Sequence, residues 1–163
     1  HDNESLVTLE DGLAKKSVYS SKGSGLRFGI SAERVVDREV KALMLTDGVN
    51  GVQRFVERKS GTSFTSEYIV GPSLRDGKIK LPPQYFDRII RILRECEGRG
   101  VYRIGHNKAD FLITQGDEPA VIDFGNIIFR DDPLARIPLV LWLAKMYTRL
   151  RVYDLRRRYA LRS

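Results

Sequence analysis

The 163 residues include 42% hydrophobic and 30% charged side chains, a composition typical of one globular domain. The longest apolar run, 139–144, is far shorter than the roughly 20 residues that span a bilayer. A single cysteine, Cys96, excludes an internal disulfide and a multi-cysteine metal site. We therefore expect a reducing, cytoplasmic setting without a signal peptide.

The net charge of +7 is unevenly distributed along the chain. Residues 145–163 hold seven basic side chains and one acid, so they carry +6 and the rest of the chain about +1. Arginines at helical spacing among tyrosines are typical of a surface that binds a membrane, an acidic protein or nucleic acid. A solvated helix face is the alternative interpretation. We therefore divide the chain into a body, 1–144, and a basic helix or tail, 145–163.

The first half of the chain predicts an antiparallel sheet with one helix. Alternating apolar residues and glycine-bearing turns predict three strands, near 5–9, 16–20 and 26–30. Ser31 can cap a helix over 32–45, whose apolar residues recur at helical spacing. Two more strands are predicted near 52–58 and 65–70.

The second half predicts a mainly helical part that contains one hairpin. Pro82 and Pro83 open a helix over 85–97. Apolar residues at 111–113 and 121–122, joined by turn residues, predict the hairpin, and a last helical region follows Pro133. This order of elements indicates an α+β fold with a ligand cleft between its two parts.

The predicted hairpin carries a carboxylate at each end. Asp110 precedes its first strand, and Asp123 follows its second strand thirteen residues later. Two neighbouring carboxylates repel each other unless a cation lies between them, and Mg²⁺ prefers oxygen ligands. The pattern predicts a site for one divalent cation, and an acid that only ends a strand is the alternative interpretation of Asp123.

With this order of elements, Asp123-Phe124-Gly125 resembles the metal-binding motif of the protein-kinase-like superfamily. The chain is most similar to its short bacterial branch of RIO-type and lipopolysaccharide-kinase-type proteins. The similarity covers about residues 5–135 and implies an N-terminal lobe at about 5–71 and a reduced C-terminal lobe at about 80–144. It also implies ATP and Mg²⁺ as ligands.

The resemblance assigns a role to several residues. Glu39 would lie on the regulatory helix and pair with a strand lysine. Asp110 and Asp123 would bind the metal, with Asp110 in the place where the family usually has asparagine. The hinge that receives the adenine would comprise Glu67, Tyr68 and Val70.

Two positions depart from the family pattern. The catalytic aspartate stands five residues before the second metal ligand in the family, and Gly105 occupies that place here. Neighbouring His106 is a candidate acid or base, and a loop histidine without a catalytic role is the alternative. No strand lysine is evident, so Arg27 becomes the expected phosphate-binding cation; Lys22 falls in a predicted turn.

A general base contributes about 10²–10⁴-fold to a rate, so its absence favours a pseudokinase. The preferred hypothesis is a catalytically impaired regulatory module that binds nucleotide with Mg²⁺. Its basic segment, 145–163, would bind an acidic protein or an anionic membrane surface, in the cytoplasm or at the inner membrane. The alternatives are an active atypical kinase for a lipid-linked sugar or other small acceptor, and a nucleic-acid-associated scaffold.

Overall fold

The computed structural model describes residues 5–19, 31–76 and 79–161. Its N-terminal part contains an antiparallel sheet. Its four strands run in the order β1-β2-β4-β3. They are β1 (Ser5–Glu10), β2 (Leu13–Val18), β3 (Phe55–Ser60) and β4 (Ser63–Glu67). The strand predicted near 26–30 lies outside the described residues.

Strand β2 begins three residues earlier than the sequence analysis placed it. Asp11 and Gly12 have φ values of 51° and 77°, and they join β1 to β2 as a two-residue turn. Positive φ at both central residues is typical of the tight turn that Asp-Gly favours in hairpins. Because side chains alternate along a strand, Lys16 shares a face with Val18, which is buried.

Helix α1 (Ala32–Leu45) packs against β2, β3 and β4. Its predicted bounds and its cap are confirmed, since Ser31 Oγ accepts a hydrogen bond from the backbone N of Arg34 at 3.3 Å. Such a cap satisfies a backbone donor at the start of a helix. The buried face of α1 consists of Val36, Glu39, Val40, Ala42 and Leu43, so one acid faces the interior among apolar residues.

The C-terminal part is built on two helices and two small ribbons. Helix α2 (Pro83–Gly98) packs against α3 (Pro138–Tyr159). The predicted hairpin is present as β6 (Phe111–Ile113) and β7 (Pro119–Val121). A second ribbon, β5 (Val101–Arg103) with β8 (Ile127–Phe129), was not predicted, because its two short strands are not contiguous in sequence as those of a hairpin are. The predicted α+β class is confirmed.

Residues 145–161 are part of the fold. Residues 145–159 continue α3, which begins at Pro138, so the expected boundary at 144/145 falls inside a helix. Beyond α3, Leu81 exchanges backbone hydrogen bonds with Tyr159 and Leu161 at 2.9 and 2.8 Å. Within the described ranges no helix combines the length and apolar character needed to cross a membrane.

The connection between the two parts is held tightly against the β6–β7 hairpin. Backbone N of Ile113 donates to Pro72 O at 2.9 Å, and Leu74 N donates to Phe111 O at 3.0 Å. A Cβ added at Gly71 would lie 2.2 Å from Ile113 O, a backbone atom. Glycine is therefore required where the connection crosses the hairpin.

We expect Gly71→Ala to lower the free energy of unfolding by about 1–3 kcal/mol, the usual cost of overpacking. Gly98→Ala is the matched control, because a Cβ there meets nothing within 4 Å. It should stay within about 0.5 kcal/mol of the parent, as exposed substitutions usually do. Urea unfolding measures both values, and equal stabilities for the two variants would contradict the contact.

Candidate functional site

One lysine joins two of the three cleft acids that the sequence analysis singled out, Glu39 and Asp123. Lys16 Nζ lies 2.8 Å from Glu39 Oε1 and 3.0 Å from Asp123 Oδ1. Lys16 lies on strand β2, Glu39 on helix α1 and Asp123 on the segment after β7. Sequence reasoning missed Lys16 because it placed this residue at the start of a strand. The Asp11-Gly12 turn was the available signal, and Arg27 lies outside the described residues.

The charges of Lys16, Glu39 and Asp123 shift one another's pKa values. Burial alone would lower the pKa of Lys16, but Glu39 and Asp123 outweigh it and raise that pKa. Burial raises the pKa of Glu39, an effect that Lys16 only partly offsets. Burial would also raise the pKa of Asp123, but Lys16 outweighs it, so this pKa lies below its ordinary value. Lys16 and Asp123 are therefore an ionised pair at neutral pH.

The backbone of Asp123 is unusual and positions its carboxylate. The residue has a φ of 60°, a left-handed conformation that Asp tolerates better than most residues. Its Oδ1 accepts a hydrogen bond from Gly125 N at 3.1 Å, and half of the side chain is exposed. Strained conformations of this kind are common at ligand sites. Here the turn directs a charged oxygen to the cleft between the two parts.

The hairpin brings Asp110 next to Asp123. Backbone N of Ile122 donates to Asp110 O at 2.9 Å, which aligns the two ends of the hairpin. The Asp110 carboxylate is held by Arg103 Nη2 at 2.8 Å and by Asn107 N at 2.9 Å. Burial raises the pKa of Asp110, and the charge of Arg103 partly offsets this.

Arg103 is a buried cation that the sequence analysis did not anticipate as a site residue. Its side chain is 2% exposed. Besides Asp110 it binds Ile122 O through Nη1 at 3.1 Å, and its guanidinium lies 5.2 Å from the centre of the Phe124 ring. It thus ties β5, the start of the hairpin and the Asp123-Phe124-Gly125 segment together.

A cavity of about 660 Å³ lies between the sheet and the helical part, and Lys16, Glu39, Asp110 and Asp123 line it, whereas Arg103 does not. Its charged lining comprises Lys16, Glu39, Arg75, Lys108, Asp110, Asp123 and Arg151. Among the described residues, Glu39 and Asp123 form ion pairs with Lys16. Asp110 forms an ion pair with Arg103. Arg75, Lys108 and Arg151 take part in none of them, so the cleft presents an excess of positive charge.

The carboxylates fit a metal that a phosphate helps to bind. Among the described residues no three acidic, histidine or cysteine side chains form a metal cluster. Among the described residues, Arg103 binds Oδ2 of Asp110 and Lys16 binds Oδ1 of Asp123. The second oxygen of each carboxylate is left for a metal ion. Mg²⁺ is usually bound through one or two carboxylates together with substrate phosphates. Asp110 and Asp123 would hold it, and it would supply charge neutralisation.

The position expected to carry the catalytic base is sterically closed. A Cβ added at Gly105 would lie 2.8 Å from Asn126 Cβ and 2.9 Å from its Nδ2. Asn126, the residue after Gly125, therefore occupies the space that a larger side chain at position 105 would need. The packing around position 105 therefore fits glycine and leaves no room for an aspartate side chain.

His106 lies beside Gly105 and is 6% exposed. Its Nε2 lies 3.0 Å from Thr148 Oγ1 on α3, and its ring stacks with the rings of Phe111 and Tyr147. Burial, together with the charges of Arg103 and Arg151, lowers the pKa of His106 to about 3. The ring is thus neutral at physiological pH and is a weak base there.

This pKa predicts a stability that depends on pH. The unfolded chain protonates His106 below about pH 6.5, whereas the folded chain does so near pH 3, so the unfolded state binds more protons in between. The free energy of unfolding should therefore fall as pH falls, by about 1–2 kcal/mol between pH 8 and pH 5. Urea unfolding of the parent and of His106→Gln tests this, and identical pH profiles would contradict it.

The predicted hinge residues do not line this cavity in the described part of the chain. Glu67 ends β4, and Tyr68 and Val70 are 43% and 74% exposed. Glu67 instead lines another cavity, of about 840 Å³, together with Arg54 and Ile69. Adenine recognition by this segment stays a prediction.

Comparison with known proteins gives a structural match only. No family model and no curated protein matches the chain. The solved structure of WbdD in a co-crystal with the kinase inhibitor LY294002 matches it with a TM-score of 0.64 and 16% identity. The match covers 84% of this chain and 34% of that one, so this chain spans about a third of the WbdD chain. At this identity the match shows the fold alone: the chain has a protein-kinase-like fold, with an antiparallel N-terminal sheet and a reduced helical part.

Proposed function

We propose that the chain is a nucleotide-binding module of kinase fold whose phosphoryl-transfer chemistry is impaired. The observation that carries the proposal is the ion-pair network of Lys16 with Glu39 and Asp123, at 2.8 and 3.0 Å. It places a cation and a half-exposed carboxylate together in the cleft, which suits a nucleotide phosphate and its Mg²⁺.

Impaired chemistry follows from the groups beside Gly105. Phosphoryl transfer needs a group that orients the attacking hydroxyl and accepts its proton. Asn126 fills the space at Gly105, and the lowered pKa of His106 makes it a poor proton acceptor. Asp110, which lines the same cavity, is held by the buried Arg103. The cleft thus retains groups for binding and lacks an evident base.

A thermal-shift titration with ATP, with and without Mg²⁺, tests nucleotide binding. At 100 times Kd a ligand adds about 2.7 kcal/mol of stability, and each kcal/mol raises the Tm of a domain of this size by about 2–4 °C. We expect a rise of about 5–10 °C with Mg²⁺ and ATP. The absence of any rise with either metal ion, Mg²⁺ or Mn²⁺, would sink the proposal.

The excess of positive charge in the cleft favours one alternative function. Arg75, Lys108 and Arg151 line the same cavity as Gly105 and His106, and their charges would stabilise an anionic acceptor such as a lipid-linked sugar phosphate. An active atypical kinase would use these cations for its acceptor. Transfer of labelled phosphate from ATP to such an acceptor, abolished in Asp123→Ala, would replace the impaired module with this enzyme.

A further inference from the structure

Helix α3 is apolar on two opposite sides. Its buried residues are Ala144, Thr148, Val152 and Leu155. The opposite side exposes a second apolar set, which we call the outer stripe. The outer stripe consists of Leu139, Trp142, Leu143, Met146, Leu150 and Tyr153, which are 37–67% exposed. At 100° per residue these six lie within an arc of about 100°. A helix apolar on both sides needs a second apolar contact.

Cations accompany the outer stripe. Lys145 and Arg149 join it in lining a groove of about 430 Å³, and at 100° per residue Arg157 lies on the stripe's own line, one turn beyond Tyr153. The acid of α3, Asp154, pairs with Arg158 at 3.0 Å. Within the described ranges none of these three cations forms an ion pair, whereas Arg156 binds Asp87. Lys145 Nζ also lies 5.5 Å from the centre of the Tyr102 ring. Burial raises the pKa of Glu97, and the charges of Arg149 and Lys145 partly offset this. The outer face of α3 is therefore apolar and positive.

We infer that the outer stripe docks on an anionic phospholipid surface. Such a surface offers hydrocarbon to the leucines and phosphates to Lys145, Arg149 and Arg157. Trp142 and Tyr153 have the amphipathic rings that lie at the level of lipid headgroups, and a basic amphipathic helix commonly lies in that plane. A second copy fits less well, because a two-fold pairing of this face would bring its cations together, and the acid of α3, Asp154, is already paired with Arg158.

The single tryptophan, Trp142, reports on the contact directly. The full chain is titrated with vesicles of phosphatidylglycerol and phosphatidylcholine, and with vesicles of phosphatidylcholine alone. We expect a blue shift of Trp142 emission and co-sedimentation with the anionic vesicles, both weakened by raised salt. Absence of binding, or equal binding to neutral vesicles, would overturn the inference. So would binding to RNA as tight as to the anionic vesicles, or a salt-resistant dimer through this face.

Two surface variants separate the apolar and charged contributions. Leu139→Ser with Leu150→Ser should weaken binding at least tenfold, since each loses an apolar contact with the membrane. Arg149→Glu with Arg157→Glu should weaken it by about fivefold or more per site. Leu6→Ser with Leu9→Ser is the control, because both residues are exposed apolar residues on β1. Unchanged binding of the α3 variants, or equal loss in the control, would contradict docking through the stripe.

Discussion

Replacing Arg103 with methionine should lower the free energy of unfolding by about 3–5 kcal/mol, the usual loss when one partner of a buried ion pair is removed. Arg103 and Asp110 have side chains that are 2% and 11% exposed, with Nη2 and Oδ2 2.8 Å apart. Without the guanidinium, Asp110 keeps one backbone donor in a site that already raises its pKa. Ile122 O also loses its donor.

Urea unfolding followed by circular dichroism measures this loss. Arg94→Met is the control, because Arg94 is exposed on the same C-terminal part and should change stability by less than about 0.5 kcal/mol. Asp110→Asn leaves the buried cation without its anion and should also be strongly destabilised. Losses of 1 kcal/mol or less in both site variants would show that the pair is solvated.

Replacing Lys16 with methionine should reduce the affinity for Mg²⁺ and ATP by about 10–150-fold. This range corresponds to one charge-assisted hydrogen bond, about 1.5–3 kcal/mol. Lys16 lies in the cleft with its side chain 16% exposed. The variant also leaves Glu39, which is 3% exposed, without its cation, so we expect a further rise in the pKa of Glu39.

Lys15→Met is the matched control for this prediction. Lys15 is the preceding residue of β2, it points to the other face of the strand, and it pairs with Glu10 at 3.0 Å. Titration with a fluorescent ATP analogue compares the two variants with the parent. An equal affinity for both variants would show that Lys16 has no part in binding the nucleotide.

Elements with a strong local pattern were predictable. Helix α1 matched its predicted bounds because Ser31 and the recurring valines are local signals. The hairpin with Asp110 and Asp123 was predictable because strands and turn are contiguous in sequence. The β5–β8 ribbon joins residues 101–103 to 127–129, and nothing local in three-residue strands indicates that pairing.

The charged network was harder to predict than the fold that carries it. Lys16 and Asp123 are 107 residues apart in sequence, so their contact depends on how the sheet packs on the hairpin. A three-residue difference in the start of β2 decided whether Lys16 would be placed mid-strand. The ion pair of Arg103 with Asp110 was missed because a basic residue before a loop is usually exposed.

A crystal structure with Mg²⁺ and a non-hydrolysable ATP analogue tests most directly whether a nucleotide binds in the cleft around Lys16. We predict density for the phosphates within hydrogen-bonding distance of Lys16 Nζ, and for a metal at Asp123. Phosphates found away from Lys16, in the cavity that Arg54 and Arg88 line, or no bound nucleotide at saturating concentration, would contradict nucleotide binding at Lys16.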